Sequence, residues 1–301
     1  MPSRDLADDA AGNLAGVKVV VAGAAGMLGR ALVTTLRAAD PEVLAPSRDR
    51  LDIRSLDACR RLVTADADAV VNAAAWTDVD GAETAEAEAF AVNATGAANL
   101  AVATRKAGAR LVHISTDYVF DGTATTPYPE DAPLNPLGAY GRTKAAGEWA
   151  VRSEHPSPLV VRTAWLYGPG AKNFVATMAG LAEGRDTVDV VDDQRGQPTT
   201  TADVAAYVLT LLERNAPART YHATSQGETT WFGLARAVFE ELGHDPGRAR
   251  PTTTDAFPRP APRPAYSVLG HDHGDAVGAA MPSWREALSA TLSGVLQQAR
   301  L

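Results

Sequence analysis

Short apolar runs alternate with longer amphipathic segments from residue 17 to about residue 167. An apolar run of four to six residues is typical of a buried strand, whereas apolar residues at every third or fourth position indicate a helix. The predicted strands are residues 17–22, 41–45, 69–72, 110–115 and 159–162. Strands separated by helices in this way predict an α/β fold, a Rossmann-type doubly wound parallel sheet.

The segments between these strands carry helix-end signals. Ser55 is the expected N-cap of a helix over residues 55–64. Gly108 is the expected C-cap of one long or broken helix over residues 83–107. A further helix is predicted over residues 141–153.

The alternation becomes less regular after Tyr167, and no internal repeat is visible. The expected elements are a helix over 173–182, a strand over 186–191, a polar turn over 192–199, a helix over 201–214 with Thr201 as N-cap, a strand over 220–223, a helix over 231–242, a proline-rich irregular segment over 251–263 and a last helix over 282–301.

The first predicted strand ends in a glycine-rich turn with GxxGxxG spacing, formed by Gly23, Gly26 and Gly29. A strand, a tight turn and a helix in succession direct backbone N–H groups and the positive end of a helix dipole at one point, which suits a phosphate group. Three glycines alone are weak support, but their place after the first strand favours a dinucleotide site.

These patterns predict a division of the chain. Residues 17–167 form an NAD(P)-binding Rossmann domain, to which residues of about 200–225 return. Residues 168–199 and 226–301 form a smaller C-terminal substrate-binding lobe. Residues 1–16 are acidic and lack an apolar signal core, so we expect a disordered leader.

The composition of this 301-residue chain limits the kinds of partner that it can bind. Its net charge of −8 gives no general attraction to nucleic acid or to an acidic membrane. No apolar run approaches the roughly 18 residues of a membrane span. The single cysteine, Cys59, excludes an intramolecular disulfide and a cysteine-based zinc site. We therefore expect a cytoplasmic protein without nucleic-acid or membrane partners.

Three polar residues form a candidate catalytic group. Thr116 ends the fourth predicted strand, and Tyr140 and Lys144 are four residues apart, which places them on one helix face. A free phenol has a pKa near 10, and a neighbouring ammonium lowers it. Together with the Thr116 hydroxyl, Tyr140 and Lys144 are suited to proton transfer at a carbonyl or alcohol beside a nicotinamide.

Several motifs resemble the extended short-chain dehydrogenase/reductase superfamily, and within it the dTDP-4-dehydrorhamnose reductase family. The resemblance extends from residue 17 to the last helix. It rests on GAAGMLG at 23–29, VNAAAWTDVD at 71–80, VN at 92–93, STDYVFDG at 115–122, YGRTK at 140–144, GE at 147–148, RTAWLY at 162–167, DQRGQPT at 193–199, RPAYS at 263–267 and WREAL at 284–288.

The resemblance implies NADPH-dependent reduction of the 4-keto group of a dTDP-linked 6-deoxyhexose, with Tyr140 as the proton donor. The cofactor-binding residues it implies are Gly23, Gly26, Met27, Leu28, Gly29, Asp52, Ile53, Ala73, Ala74, Ala75, Asn93, Tyr140 and Lys144. The substrate-binding residues it implies are Thr77, Val79, Asp117, Tyr118, Trp165 and Arg263.

The second predicted strand bears on the choice of cofactor. An acidic residue about 20 positions after the glycines usually binds the NAD ribose. Here the strand is followed by Ser47 and Arg48, which suit the 2′-phosphate of NADPH, although Asp49 and Asp52 follow. NADPH is therefore the expected cofactor, with NADH as an alternative.

Two other functions remain open at this point. An epimerase or dehydratase of the same superfamily has a similar catalytic group. The dehydratases, however, carry Thr-Asp-Glu after the fourth strand, whereas this chain has Tyr118 in place of the glutamate. A non-catalytic subunit like the regulatory subunit of methionine adenosyltransferase is the alternative from another class. The intact Thr116, Tyr140 and Lys144 favour an enzyme.

The remaining candidates concern anions, metals and assembly. Arg195, Arg259 and Arg263 lie in irregular segments and are candidates for binding a nucleotide diphosphate. His271 and His273 flank an aspartate, but a polar surface loop explains them, and no metal site is predicted. We expect a small-molecule nucleotide-sugar substrate and a monomer or homodimer.

Overall fold

A parallel sheet forms the centre of the computed structural model, which describes residues 14–299. Within these residues six strands join in the order β10-β5-β4-β3-β1-β2, and every pairing is parallel. The strands are β1 (Lys18–Ala22), β2 (Glu42–Leu44), β3 (Ala69–Asn72), β4 (Arg110–Thr116), β5 (Leu159–Thr163) and β10 (Thr220–His222). The order reverses between β1 and β3, and a crevice opens there beyond the carboxyl ends of the strands.

Helices cover both faces of this sheet. They are α1 (Met27–Ala38), α2 (Leu56–Leu62), α3 (Glu86–Phe90), α4 (Ala97–Ala107), α5 (Ala139–Glu154) and α7 (Thr201–Glu213). Val19 and Val21 of β1 pack in one core with α1 and α7, and Val20 packs in the opposite core with α4. This alternation follows from the two-residue period of a strand, and it confirms the predicted doubly wound α/β fold.

Three further helices share a separate apolar core with the short strands. The helices are α6 (Phe174–Gly184), α8 (Trp231–Glu241) and α10 (Trp284–Ala299), and α9 (Asp272–Ala276) lies beside β10. Val175, Leu234, Phe239 and Leu288 are buried in this core. The short strands are β6 (Leu166–Tyr167), β7 (Val188–Val191), β8 (Arg195–Gly196), β9 (Thr199–Thr200), β11 (Thr229–Thr230) and β12 (Ala249–Thr252), which pair as β6-β9, β12-β7 and β11-β8.

Several sequence expectations need correction. The segment predicted as one helix over 83–107 is broken into a 3₁₀ turn, α3, a π-helical stretch (Ala91–Gly96) and α4. The N-cap of α7 is Thr200, whose hydroxyl accepts from the Asp203 N–H, and not Thr201. The irregular segment predicted over 251–263 contains the end of β12, which pairs in parallel with β7.

The chain ends differ slightly from expectation. Residues 1–13 of the expected leader and residues 300–301 lie outside the described part. Leu14, inside the expected leader, is buried in the core against α1 and α7, so the ordered chain begins before residue 17. Within residues 14–299, no helix is both long enough and apolar enough to cross a bilayer.

Candidate active site

The glycine turn between β1 and α1 is tightly packed. Gly23 has φ +78°, and a Cβ there would lie 2.5 Å from the backbone nitrogen of Ala74. Gly29 lets the first turn of α1 contact the Gly23 carbonyl. Among the described residues no side chain caps the N-terminus of α1 at Gly26, so its first N–H groups face the crevice. This geometry suits a phosphate.

A cleft of about 400 Å³ opens at this turn. The structure brings together eight of the predicted cofactor residues in its wall: Gly23, Gly26, Arg48, Asp52, Ile53, Ala73, Ala74 and Ala75. Sequence reasoning missed other lining residues, among them Pro46, Leu51, Arg54, Trp76, Glu88 and Val92. All of these except Glu88 carried a readable signal, because each is adjacent in sequence to a predicted cofactor residue.

Seven predicted cofactor residues lie outside this lining, among them Tyr140 and Lys144 of α5. Met27, Leu28 and Gly29 belong to the first turn of α1, and Ser47 is exposed beside Arg48. Asn93 is buried: its Oδ1 accepts from the Trp76 N–H at 2.8 Å, and its Nδ2 donates to the Trp76 carbonyl and to Thr143 Oγ1. With both N–H groups engaged, Asn93 connects the loop after β3 to α5 instead of lining the cleft.

The three candidate catalytic residues meet beyond β4. Thr116 ends β4, and Tyr140 occupies the first turn of α5, where the Thr116 side chain is close enough to offset part of the rise in the pKa of the Tyr140 phenol. The Thr116 hydroxyl donates to Asp117 Oδ1 at 2.9 Å. Lys144, one turn further along α5, donates from Nζ to the Ile114 carbonyl at 2.7 Å. All three side chains are buried.

Burial controls the ionisation of this group. It raises the pKa of Tyr140 to about 12 and lowers the pKa of Lys144 to about 8. The expectation that Lys144 lowers the pKa of Tyr140 is therefore wrong for this conformation, because removal from water dominates and the ammonium faces Ile114. Burial also raises the pKa of Asp117 to about 6.

A second cleft, of about 360 Å³, adjoins the catalytic group on the side of helices α6 and α8. Its lining includes Asp80, Tyr118, Phe174, Met178, Asp189, Gln194, Trp231, Phe257, Arg259 and Arg263. The Tyr118 ring contacts the Tyr140 ring edge-on, with centroids 5.6 Å apart. The side chains of two predicted substrate residues, Tyr118 and Arg263, thus lie in one cleft beside Tyr140.

The three candidate arginines have different surroundings. Arg263 is largely buried and pairs with Asp80 at 2.9 Å, and the exposed Arg259 lies 3.9 Å from the same carboxylate. Arg195 pairs instead with Glu228 at 3.0 Å. Arg263 and Arg259 therefore line the second cleft. Arg195 lies outside the lining of this cleft, and Glu228 neutralises its charge.

Trp165 takes an unexpected position. Its backbone is left-handed (φ +46°), and its indole stacks on Trp231 with centroids 3.6 Å apart. Gly196 lies directly behind, where a Cβ would meet the Trp165 ring. Trp231, which sequence reasoning missed, lines the second cleft, and Trp165 supports it from behind.

The remaining predictions concern two substrate-binding candidates, Thr77 and Val79, and the two histidines of the late loop. Val79 packs in a cluster with Tyr140, and Thr77 is exposed. His271 hydrogen-bonds Thr224, and His273 hydrogen-bonds the Thr220 carbonyl. Within residues 14–299, no group of three metal-ligating side chains is present.

The chain is similar to several known proteins over most of its length. The family model described as RmlD substrate binding domain matches residues 17–297. The dTDP-4-dehydrorhamnose reductase of Streptomyces griseus is 50% identical over 90% of this chain and 91% of its own length. The dTDP-4-keto-6-deoxy-D-glucose reductase of Streptomyces niveus is 48% identical over 89% of this chain and 90% of its own length.

Solved structures agree as well. A dTDP-4-dehydrorhamnose reductase from Clostridium acetobutylicum superposes with a TM-score of 0.88 at 40% identity, over 92% of this chain and 99% of that one. The enzyme from Bacillus anthracis, solved in complex with NADP, superposes with a TM-score of 0.88 at 35% identity, again over 92% of this chain and 99% of that one. With a family model that covers nearly the whole chain and relatives at about half identity, this chain belongs to the dTDP-4-dehydrorhamnose reductase family.

Proposed function

We propose that this protein reduces the 4-keto group of a dTDP-4-keto-6-deoxyhexose with NADPH. The observation that carries the proposal is that Tyr140 packs in one cluster with Trp76, which lines the glycine-turn cleft, and Tyr118, which lines the second cleft. The Tyr140 phenol is buried, lies near Thr116 and is in contact with Tyr118. The names and NADP complex of the relatives support the same chemistry.

The cleft at the glycine turn fits a dinucleotide. An added Cβ at Gly23 would close the approach to Ala74, and the uncapped start of α1 offers N–H groups to a diphosphate. At the far end Arg48 lines the wall as a cation for a 2′-phosphate. When bound, NADPH supplies the hydride.

The chain's own contribution is to supply a proton and hold charge. Because burial raises the pKa of Tyr140 to about 12, its phenol is protonated at neutral pH and can donate to the substrate oxygen. Thr116 is placed to hydrogen-bond the same oxygen. Lys144, with a pKa lowered to about 8, keeps most of its charge near pH 7. We propose that its ammonium turns from the Ile114 carbonyl toward the phenolate that remains after proton transfer.

The second cleft suits a nucleotide sugar. Its wall combines aromatic side chains, including Tyr118 and Trp231, with two arginines, and such a combination suits sugar faces, a base and a diphosphate. Asp80 orients Arg263 toward this cleft through their ion pair. We assign the diphosphate to Arg263 and Arg259.

Net cofactor consumption tests the proposal against an epimerase or dehydratase, which regenerate their cofactor. Purified protein is mixed with NADPH and a dTDP-4-keto-6-deoxyhexose, with and without a 3,5-epimerase, and the product sugar is identified. We expect one NADPH to be oxidised per sugar reduced. Product formation without net oxidation would instead support an epimerase or dehydratase, and absence of turnover would support the regulatory subunit.

Arg48→Ala should weaken NADPH binding far more than NADH binding. The guanidinium is exposed on the cleft wall, and its loss removes a cation that only the 2′-phosphate requires. We expect the dissociation constant for NADPH to rise about tenfold, the size of a charge-assisted hydrogen bond, with that for NADH within about twofold. Equal weakening of both dinucleotides, measured by fluorescence titration, would contradict this role.

A further inference from the structure

Helix α5, which carries Tyr140, begins without a cap of its own. Its N-cap is Gly138, which has no side chain, and its first turn contains no acidic residue. The first N–H groups of a helix have no acceptor within the helix and need one from elsewhere. Here Glu83 Oε1 accepts from the Ala139 N–H at 2.7 Å, although Glu83 lies 56 positions away in sequence. A distant carboxyl group thus caps α5 directly before Tyr140.

The capping residue ends a short 3₁₀ turn, Gly81–Glu83, that packs beside Tyr140. Ala82, in the middle of this turn, is fully buried in one cluster with the Tyr140 ring. Gly138 leaves room for the Glu83 carboxyl group, since a Cβ there would lie 2.7 Å from Oε1. The turn therefore contacts the start of α5 in two ways, through a hydrogen bond to its backbone and through apolar packing with the Tyr140 cluster.

The residue before this turn holds an arginine of the second cleft. Asp80 pairs with Arg263 at 2.9 Å, and Asp80 Oδ1 also accepts from the Ala261 N–H at 3.3 Å. The Glu83 N–H donates to the Asp80 carbonyl at 3.2 Å, which closes the turn. A closed 3₁₀ turn keeps its two ends at a fixed spacing. One short turn therefore connects the segment that carries Arg263 to the start of α5.

We infer that Glu83 positions Tyr140 for proton transfer, because it ties the start of α5 to the turn that is joined to Arg263 through Asp80. The inference rests on the proposed function, in which Arg263 binds the substrate diphosphate and Tyr140 donates the proton. Within residues 14–299, Glu83 lines neither cleft, so it acts only through α5 and is a positioning residue. The keto group and the diphosphate of one substrate then meet groups that the same turn aligns.

Single-turnover NADPH oxidation with a dTDP-4-keto-6-deoxyhexose tests the inference, at a temperature well below the Tm of every variant. Glu83→Ala removes the acceptor and should lower the maximal rate about 10- to 100-fold, since a displacement of about 1 Å costs up to about 10² in rate. The half-saturating sugar concentration and the dissociation constant for NADPH should stay within about twofold, because both clefts keep their lining. Glu83→Gln retains an acceptor oxygen on a side chain of the same length and should recover the rate to within about threefold. An unchanged rate in Glu83→Ala would overturn the inference.

A second substitution distinguishes positioning from helix stability. Gly138 has an extended backbone (φ −108°, ψ 170°), as a serine N-cap has, and only the Glu83 carboxyl group lies too close to an added Cβ. In Glu83→Ala this obstacle is absent, so adding Gly138→Ser supplies a local cap to α5. We expect the double variant to regain the Tm lost in Glu83→Ala but not the rate, since a local cap does not tie α5 to the turn. Recovery of both would show that Glu83 only stabilises the helix and would overturn the inference.

Glu86→Ala is the matched control. Glu86 also contacts α5, where it accepts from Arg142 Nε at 2.8 Å, but this pair is half exposed and involves a side chain instead of the backbone. Exposed pairs of this kind contribute little, so the rate should stay within about twofold of wild type. An equal loss of rate in Glu86→Ala would contradict a specific role for Glu83.

The same assay separates failure of the inference from failure of the proposed function. A wild-type protein that oxidises no NADPH with the keto sugar contradicts the proposed function and the inference with it. A wild-type protein that turns over, with Glu83→Ala at the same rate, contradicts the inference alone.

Discussion

Tyr140→Phe should lower kcat by about 10³-fold, within the range that general acid catalysis contributes, while NADPH binds within about twofold of wild type. The substitution removes one oxygen from a buried ring and keeps the edge-on contact with Tyr118. The substrate oxygen then lacks its proton donor. Single-turnover NADPH oxidation measures the chemical step, and fluorescence titration measures cofactor binding.

The matched control for this prediction is Tyr128→Phe. Tyr128 donates to Asp121 Oδ1 at 2.8 Å and lies outside the lining of both clefts. Loss of its hydroxyl should therefore have no effect on the reaction. We expect kcat to change by less than about twofold there, since the two hydrogen bonds that are lost, to Asp121 and from the Ala124 N–H, lie away from both clefts. Turnover of Tyr140→Phe near the wild-type rate would remove Tyr140 from the proton-donor role.

The parts of the site that sequence predicts well are local. The spacing of Tyr140 and Lys144 sets one helix face, and Thr116 ends a strand whose apolar run is unmistakable. Gly23 could be identified because a turn between a strand and a helix requires its positive φ. Each of these depends on a few consecutive residues, and local geometry is what periodicity and spacing encode.

The parts that sequence misses depend on distant pairing. Asp80 and Arg263 are 183 residues apart in number yet form an ion pair. Trp231 enters the second cleft because Trp165 stacks behind it with a left-handed backbone that no propensity predicts for tryptophan. Pro251 lies in a strand because β12 pairs with β7, where Val190 is its partner.

Another buried pair positions the catalytic helix against the sheet. Arg162 of β5 donates from Nε and Nη2 to the two oxygens of Glu148 on α5, at 2.8 Å each. Arg162 also donates to the Glu130 carbonyl and lies over the Phe120 ring. Glu148 is one turn beyond Lys144, so this pair fixes the part of α5 that carries the ammonium.

Arg162→Met should lower the free energy of unfolding by about 3 to 5 kcal/mol, because it leaves Glu148 buried without its main partner. For a chain of this size, which unfolds with an entropy of about 0.6 kcal/mol/K, the loss corresponds to roughly 5 to 8 °C in Tm. Replacing both residues, as Glu148→Met with Arg162→Met, should recover most of the loss, since no buried charge then remains. The surface variant Arg285→Met, which breaks an exposed pair with Glu240, should cost less than about 1 kcal/mol.

The pH dependence separates this charge effect from a packing defect. In the wild type burial alone would raise the pKa of Glu148, but the hydrogen bonds and charge of Arg162, with smaller contributions from Ser115 and Arg152, together lower it. The pair therefore stabilises the fold above the unfolded carboxyl pKa near 4.3 and loses this effect as pH falls. In Arg162→Met, burial dominates and raises the pKa of Glu148, so the carboxyl is neutral in the folded state at mildly acidic pH. The Tm difference from wild type should therefore be largest near pH 8 and shrink toward pH 5. A difference that stays constant across this range would mean that lost packing, and not an uncompensated charge, destabilises the variant.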